Sequence, residues 1–263
     1  MRAAFSLVEL SIVLVILGLL TGGILGGQSL IRAAELRAVS TEYSRYATAM
    51  SSFRDKYFAV PGDMSNATQF WGTAAACPGT NATPSTTQAT CDGNSSGGVD
   101  ILTPASNEVF RFWQHLANAG LVEGSYSGVS NNATAATADA RLSWNVPPSK
   151  LSNGGWSPQW LGVVPVSSVT GWFEGDYRNA FYFGGTVGAG NLTGSPILKA
   201  EEAWNIDTKS DDGRPGTGNV TTWEVLTACH DATPSTTVAI AATAAYRLAD
   251  TTQGCALLFK TGY

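Results

Sequence analysis

The sequence predicts an α+β protein: one long N-terminal helix, then a globular head of short strands with extra helices and loops. Three observations carry this prediction. Leu10 to Ile31 is a run of 22 mostly apolar residues without a single charge. Val39, Tyr43, Tyr46, Met50, Phe53 and Tyr57 then recur at intervals of 4, 3, 4, 3 and 4, the stripe of an amphipathic helix. From Leu142 onward, aromatic and β-branched residues come in short runs separated by Gly and Pro, the pattern of strands and turns.

The apolar run exceeds the roughly 20 residues that a helix needs to cross a bilayer. A short basic leader, Met1-Arg2-Ala3-Ala4, precedes it, and Arg2 and Arg32 flank it with nearly balanced charge, which orients it weakly. A secretory signal peptide has an apolar core of about 7–15 residues followed by a small-residue cleavage site. This core is longer, and no clear A-x-A site follows. A plain membrane anchor explains the length but not Glu9. A carboxylate in a membrane helix costs roughly 2.5–3.5 kcal/mol at the centre, less near an end, and marks a partner or a function. The rival reading of Glu9 is an interfacial, snorkelling glutamate.

The residues around Glu9 carry a specific resemblance. Ala4-Phe5-Ser6-Leu7-Val8-Glu9-Leu10, followed by Ser11-Ile12-Val13-Leu14-Val15-Ile16-Leu17-Gly18, resembles the N-terminal signature of type IV pilins and of the pseudopilins of type II secretion. The resemblance spans about 30 of the 263 residues. It implies that a prepilin peptidase cuts between Ala4 and Phe5 and methylates the new amino group of Phe5. Alanine stands here where the family usually has glycine. It implies that Glu9 neutralises the N-terminal amine of a neighbouring subunit, and a buried carboxylate is tolerable when so paired. The implied layout is a leader at 1–4, a long helix at 5–57 and a head at 58–263. Residues 5–31 would lie in the membrane or the filament core, and 32–57 would pack in the head under an antiparallel sheet. The implied partners are copies of itself or other pilins, the peptidase, and the inner membrane, crossed once before assembly into a periplasmic or cell-surface filament. The role implied is structural: a pilus subunit, with a type II secretion pseudopilin or a minor tip pilin with a binding head as alternatives. Exposed side chains among Trp156, Trp160, Trp172 and Trp223 would favour a binding head that recognises a surface, a sugar or DNA.

Phe5 to Tyr57 reads as one helix of 53 residues, about 80 Å long at 1.5 Å per residue. Arg37, Glu42, Arg45, Arg54 and Asp55 are assigned to faces other than the stripe. Gly22, Gly23, Gly26 and Gly27 interrupt the apolar half, each at about 1 kcal/mol relative to alanine. Two readings stand side by side: local unwinding on packing into a filament, or small residues for close helix contacts. Val60-Pro61-Gly62-Asp63 ends the helix with a turn. Met64–Trp71 reads as a second helix capped by Asp63 or Ser65, and Pro104–Val122 as a third, capped by Ser106 or Asn107 and ended by Gly120. Strands are expected around Trp160–Val164, Gly171–Phe173, Asn179–Val187, Thr222–Thr227 and Gln253–Lys260, and a short helix at Ile197–Ile206. Polar loops fill Thr73–Gly98 and Gly128–Ala140.

Charged residues make up only 13% of the chain, and the net charge of −5 does not indicate a strongly basic nucleic-acid surface. The four cysteines allow three pairings. The local one, Cys77–Cys91 and Cys229–Cys255, is the simplest and suits export to an oxidising compartment, with four free thiols as the alternative. A disulfide near the C-terminus that closes a surface loop is also a pilin trait. Asp207, Asp211 and Asp212 are the one candidate metal cluster, hard oxygen ligands suited to calcium. The EF-hand spacing fails because Lys209 takes a ligand place, and an Asp-rich turn capping the preceding helix is the preferred reading. Apart from that calcium, no cofactor is expected. Cys229-His230-Asp231 is poorly placed for a nucleophile–base pair, because neighbours on a strand face opposite ways. His115 reads as a packed or surface residue. The sequence shows no nucleophile elbow, phosphate loop or carboxylate pair, and assigns no catalysis. Sequons at Asn66, Asn81, Asn132 and Asn191 are expected by chance in loops this rich in Thr.

Overall fold

The computed structural model describes residues 7–75, 77, 87–101, 108–130, 139–166, 171–186, 192–234 and 240–263. Helix α1 runs unbroken from Leu7 to Tyr57, 51 residues. It stays helical through the glycine cluster. Short helix α2 (Ala67–Trp71) and helix α3 (Glu108–Asn118) follow. Next come strands β1 (Gly155–Val164) and β2 (Gly175–Gly184), helix α4 (Ala200–Ser210), and strands β3 (Val220–Thr221) and β4 (Leu257–Lys260). The four strands form one sheet in the order β1-β2-β4-β3, and every pairing is antiparallel.

The second half of α1 lies on this sheet. Val39, Tyr46, Met50 and Phe53 are almost wholly buried. Tyr43 stacks on Phe259 of β4 at 4.7 Å, and Tyr46 meets Trp113 of α3 edge-on at 4.8 Å. Trp156 of β1 packs against Phe183 and Phe259. Strand β2 is buried on both sides, which accounts for its unbroken run Ala180-Phe181-Tyr182-Phe183. Phe181 faces Tyr46 and Trp113, whereas Tyr182 joins Trp172 and Trp223 with ring centroids 5.3 and 5.4 Å away.

Several local expectations shift. Helix α2 begins at Ala67 with Asn66 before it, and Asp63 does not cap it. The Asp63 carboxylate instead accepts the Ser96 and Gly97 N–H groups, and so holds the incoming loop. Gly62 has φ +86°, and a Cβ there would run into the carbonyl oxygen of Glu108, so the turn needs glycine. The start of the third expected helix, with its caps Ser106 and Asn107, lies outside the described residues. Its end is at Asn118, followed by Gly120 at φ +72°. Ile197 and Leu198 bond to Cys255 rather than open a helix, so α4 starts later and continues to Ser210. Gly171–Phe173 and Thr222–Thr227 are not strands. Trp172 and Trp223 make a single bridge to one another, and the chain then turns through 226–229. Strand β2 ends at Gly184, short of the expected Val187, which lies outside the described residues.

Candidate functional site

Among the described residues, α1 before Arg32 is exposed almost throughout. An 18-residue apolar stretch of the helix has none of its residues buried. Leu7, Leu19 and Leu30 are 86, 73 and 73% exposed, values that a core or a partner must lower. Leu7–Ile31 amounts to roughly 37 Å of helix, enough for a hydrocarbon layer of about 30 Å. Three of the few polar groups on this segment answer themselves. The hydroxyls of Ser11, Thr21 and Ser29 donate to the carbonyls of Val8, Leu17 and Gly26, each at 2.9 Å. Such back-bonding lets a hydroxyl sit in an apolar medium without an unmet donor. Gly18, Gly22, Gly23, Gly26 and Gly27 have open space where a Cβ would be, so none of the described residues requires them to be small. Glu9 lies in the first turn of α1, where the helix dipole favours a carboxylate, and it is exposed. Ala4 and Phe5, the residues of the expected cleavage, lie outside the described residues.

The bare helix meets the head at a defined point. The Arg32 guanidinium makes a two-pronged bond to Glu202, Nε to Oε1 at 2.6 Å and Nη2 to Oε2 at 2.7 Å. Glu202 Oε2 also accepts the Lys199 N–H, which closes a capping box at the start of α4. Burial raises the Glu202 carboxyl, but the Arg32 bond and charge outweigh it and leave it below the usual range. Ten residues on, Glu42 is 7% exposed and accepts three bonds: Ser149 Oγ at 2.6 Å, Lys150 N–H at 2.8 Å and Trp156 Nε1 at 2.8 Å. This corrects its assignment to an outer face. Glu42 is three residues after Val39 and four before Tyr46, so the helical spacing itself places it on the stripe. A charge in the sequence hid a position that geometry makes internal. The two carboxylates, Glu42 and Glu202, fasten the helix to the head from opposite sides of the junction.

A second buried polar group of residues organises the far end of α1. His115 is fully buried: it accepts the Gly62 N–H on Nδ1 at 3.0 Å and lies 3.0 Å from Thr90 Oγ1 through Nε2. Burial, with Arg111 nearby, holds its pKa down at about 3, so the ring is neutral. Glu108 accepts the Asn94 and Asp100 N–H groups, and burial pushes its carboxyl up to about 7. These groups strap the loop at 87–100 across α3.

The three aspartates of the acidic cluster do come together, with ligand atoms within 4.8 Å of one another. Asp207 lies inside α4 rather than in the loop after it, and is buried. Its oxygens take the Tyr246 hydroxyl at 2.9 Å and the Gly213 N–H at 3.1 Å, and burial pushes its carboxyl up to about 7. Asp211 accepts the Asn219 and Val220 N–H groups, and Asp212 the Arg214 N–H and the Thr217 hydroxyl. These donors fold the turn at 211–220 around the carboxylates.

Cys77 bonds Cys91, and Cys229 bonds Cys255. A disulfide sulfur offers no thiolate, and His230 spends Nε2 on the Trp223 carbonyl at 2.9 Å. Of the four tryptophans that would mark a binding surface, Trp156 and Trp223 are buried, Trp172 is half-buried and Trp160 is 39% exposed. Compared with known proteins, the chain matches no family model and has no significant match among curated proteins or solved structures. Its architecture, a long apolar helix laid on an antiparallel sheet, is compatible with a pilin-like fold.

Proposed function

We propose that this chain is a structural subunit of a type IV pilus-type filament, released by a prepilin peptidase between Ala4 and Phe5 and assembled through its apolar helix. One observation supports this above the others. The helix that the head grips over 32–57 continues straight into 25 residues, Leu7–Ile31, that are bare, apolar and free of charge except for Glu9. A bare surface of that size has to be covered by lipid or by like helices. A single-pass stay in the inner membrane followed by incorporation into a periplasmic or surface filament supplies both in turn. Glu9, set in the first turn, then meets the amine of a neighbouring Phe5. The role is structural rather than catalytic, and its partners are other helices of the same kind. Mass spectrometry of the mature chain from cells with an active peptidase should find it beginning at methylated Phe5. Glu9→Leu should leave the subunit in the membrane fraction and out of sheared filaments. A mature chain that retains Met1–Ala4, or normal filaments from the Glu9 variant, would refute the proposal.

A further inference from the structure

The last two turns of α1 form one wall of a cleft of about 630 Å³ on the head, within the size range of ligand sites. Ser51, Arg54 and Asp55 stand on that wall at intervals of 3 and 1, one face of the helix, and Phe58, just past its end, also lines the cleft. Ser95 and Tyr263 close the other sides. Phe58 is anomalous twice over. It occupies the left-handed position that ends the helix, φ 53°, its N–H bonded to the Arg54 carbonyl at 2.8 Å. Glycine or asparagine normally serves there, and a bulky side chain is disfavoured. The ring is also 94% exposed, more than any other large apolar side chain of the described residues, the membrane helix included. Strain combined with full exposure of a phenyl ring is not explained by the packing of the subunit, and such outliers cluster at binding sites. Arg54 lines the same cleft, its guanidinium 4.0 Å over the Tyr263 ring. Among the described residues, the side chains of Arg54 and Asp55 make no hydrogen bond or ion pair.

The cleft therefore presents a flat apolar ring next to a group that only donates and a group that only accepts. We propose that it binds a neutral carbohydrate, with one sugar face on Phe58 and adjacent hydroxyls bridging Arg54 and Asp55. A hydroxyl both donates and accepts, so a vicinal pair satisfies both charged groups without bringing a charge of its own. An acidic ligand would meet Asp55, and a basic one would meet Arg54. This site is separate from the apolar half of α1, Leu7–Ile31, and does not depend on the filament reading.

The test is titration of the full chain in lipid nanodiscs with maltotriose, cellotriose and N-acetylated chitotriose at millimolar concentrations, read by calorimetry. At least one trisaccharide should bind. Phe58→Gly, which suits the backbone and should leave the near-UV circular dichroism unchanged, should weaken it about tenfold or more, as should Asp55→Asn. Val225→Ala, an exposed apolar residue elsewhere on the head, should change nothing. No binding of any of the three sugars to the wild type would overturn the proposal, as would binding that survives both variants. A third overturning result is loss of self-association in Phe58→Gly with no sugar bound by the wild type, which would place a second copy of the chain on the ring instead.

Discussion

Replacing Glu42 with alanine tests whether the head is latched to the helix as the structure indicates. The carboxylate accepts bonds from Ser149 Oγ, the Lys150 N–H and Trp156 Nε1, and Trp156 is 0% exposed. Net contributions of bonds to a charged group are roughly 1.5–3 kcal/mol each, and a buried donor left without a partner costs about 1–3 kcal/mol. These terms do not add in full, because Ser149 can turn to water and removal of the charge also removes its desolvation cost. A loss of about 3–5 kcal/mol is the expected net, comparable to breaking a buried pair. At roughly 2–4 °C per kcal/mol for a domain of this size, the melting midpoint should fall by about 6–20 °C. Glu42→Gln keeps the shape and one acceptor oxygen, and should cost about half as much. The assay is urea unfolding of the full chain in nanodiscs, followed by tryptophan emission. Glu201→Ala, at an exposed position one residue from Glu202, is the control and should stay within about 0.5 kcal/mol. An alanine variant at position 42 within about 1 kcal/mol of wild type would refute the latch, since no arrangement of three satisfied donors could then have been lost.

Three further predictions concern other parts of the fold. Arg32 and Glu202 are 30 and 15% exposed in their side chains, so after solvent screening a double-mutant cycle of Arg32→Gln with Glu202→Gln should return a coupling of about 1 kcal/mol; additive losses would mean the pair is only a contact. Glu108 keeps its proton to about 7 when folded, against 4.5 for an ordinary glutamate, because burial disfavours the charge. The native state therefore holds the extra proton: the stability it brings is full below about 4.5 and is lost as pH rises through about 7. Unfolding free energy should decline over that window, and Glu108→Gln should flatten the decline; an unchanged slope in the variant would exclude Glu108 as its source. Finally, the double variant Cys229→Ser with Cys255→Ser should destabilise the head by about 2–5 kcal/mol. It should exceed the cost of removing Cys77–Cys91, since it closes 26 rather than 14 residues and both sulfurs are buried; equal melting midpoints for the two variants would count against that ranking.

Legibility of the fold followed the range of the interactions. The periodic stripe at 39–57 and the uncharged run before it are local patterns, repeated every turn, and both α1 and its division into bare and gripped halves follow from them. The strands at 155–164 and 175–184 were marked by aromatic runs, although β1 begins five residues before the expected Trp160 because Trp156 pairs with Phe183. Trp172 and Trp223, read as parts of strands, belong to an aromatic layer that covers the back of β2. Their strand-like composition reflects burial, which strands and packed loops share. The acidic cluster was found as a run in sequence, but its chemistry was not legible. Tyr246, thirty-nine residues on, supplies the hydroxyl that bonds the buried Asp207.

By itself the sequence determined the long helix, the uncovered apolar half with Glu9 at its head, and the α+β class. These depend on side-chain period and composition, which are properties of neighbouring residues. Tertiary structure alone decided that Ser149, Lys150 and Trp156 meet Glu42, that Arg32 reaches Glu202 170 residues away, and that Phe58 stands exposed on strained backbone. Each of these is a charge or ring whose meaning depends on what the chain brings opposite it, and long-range closure of that kind leaves no period to read.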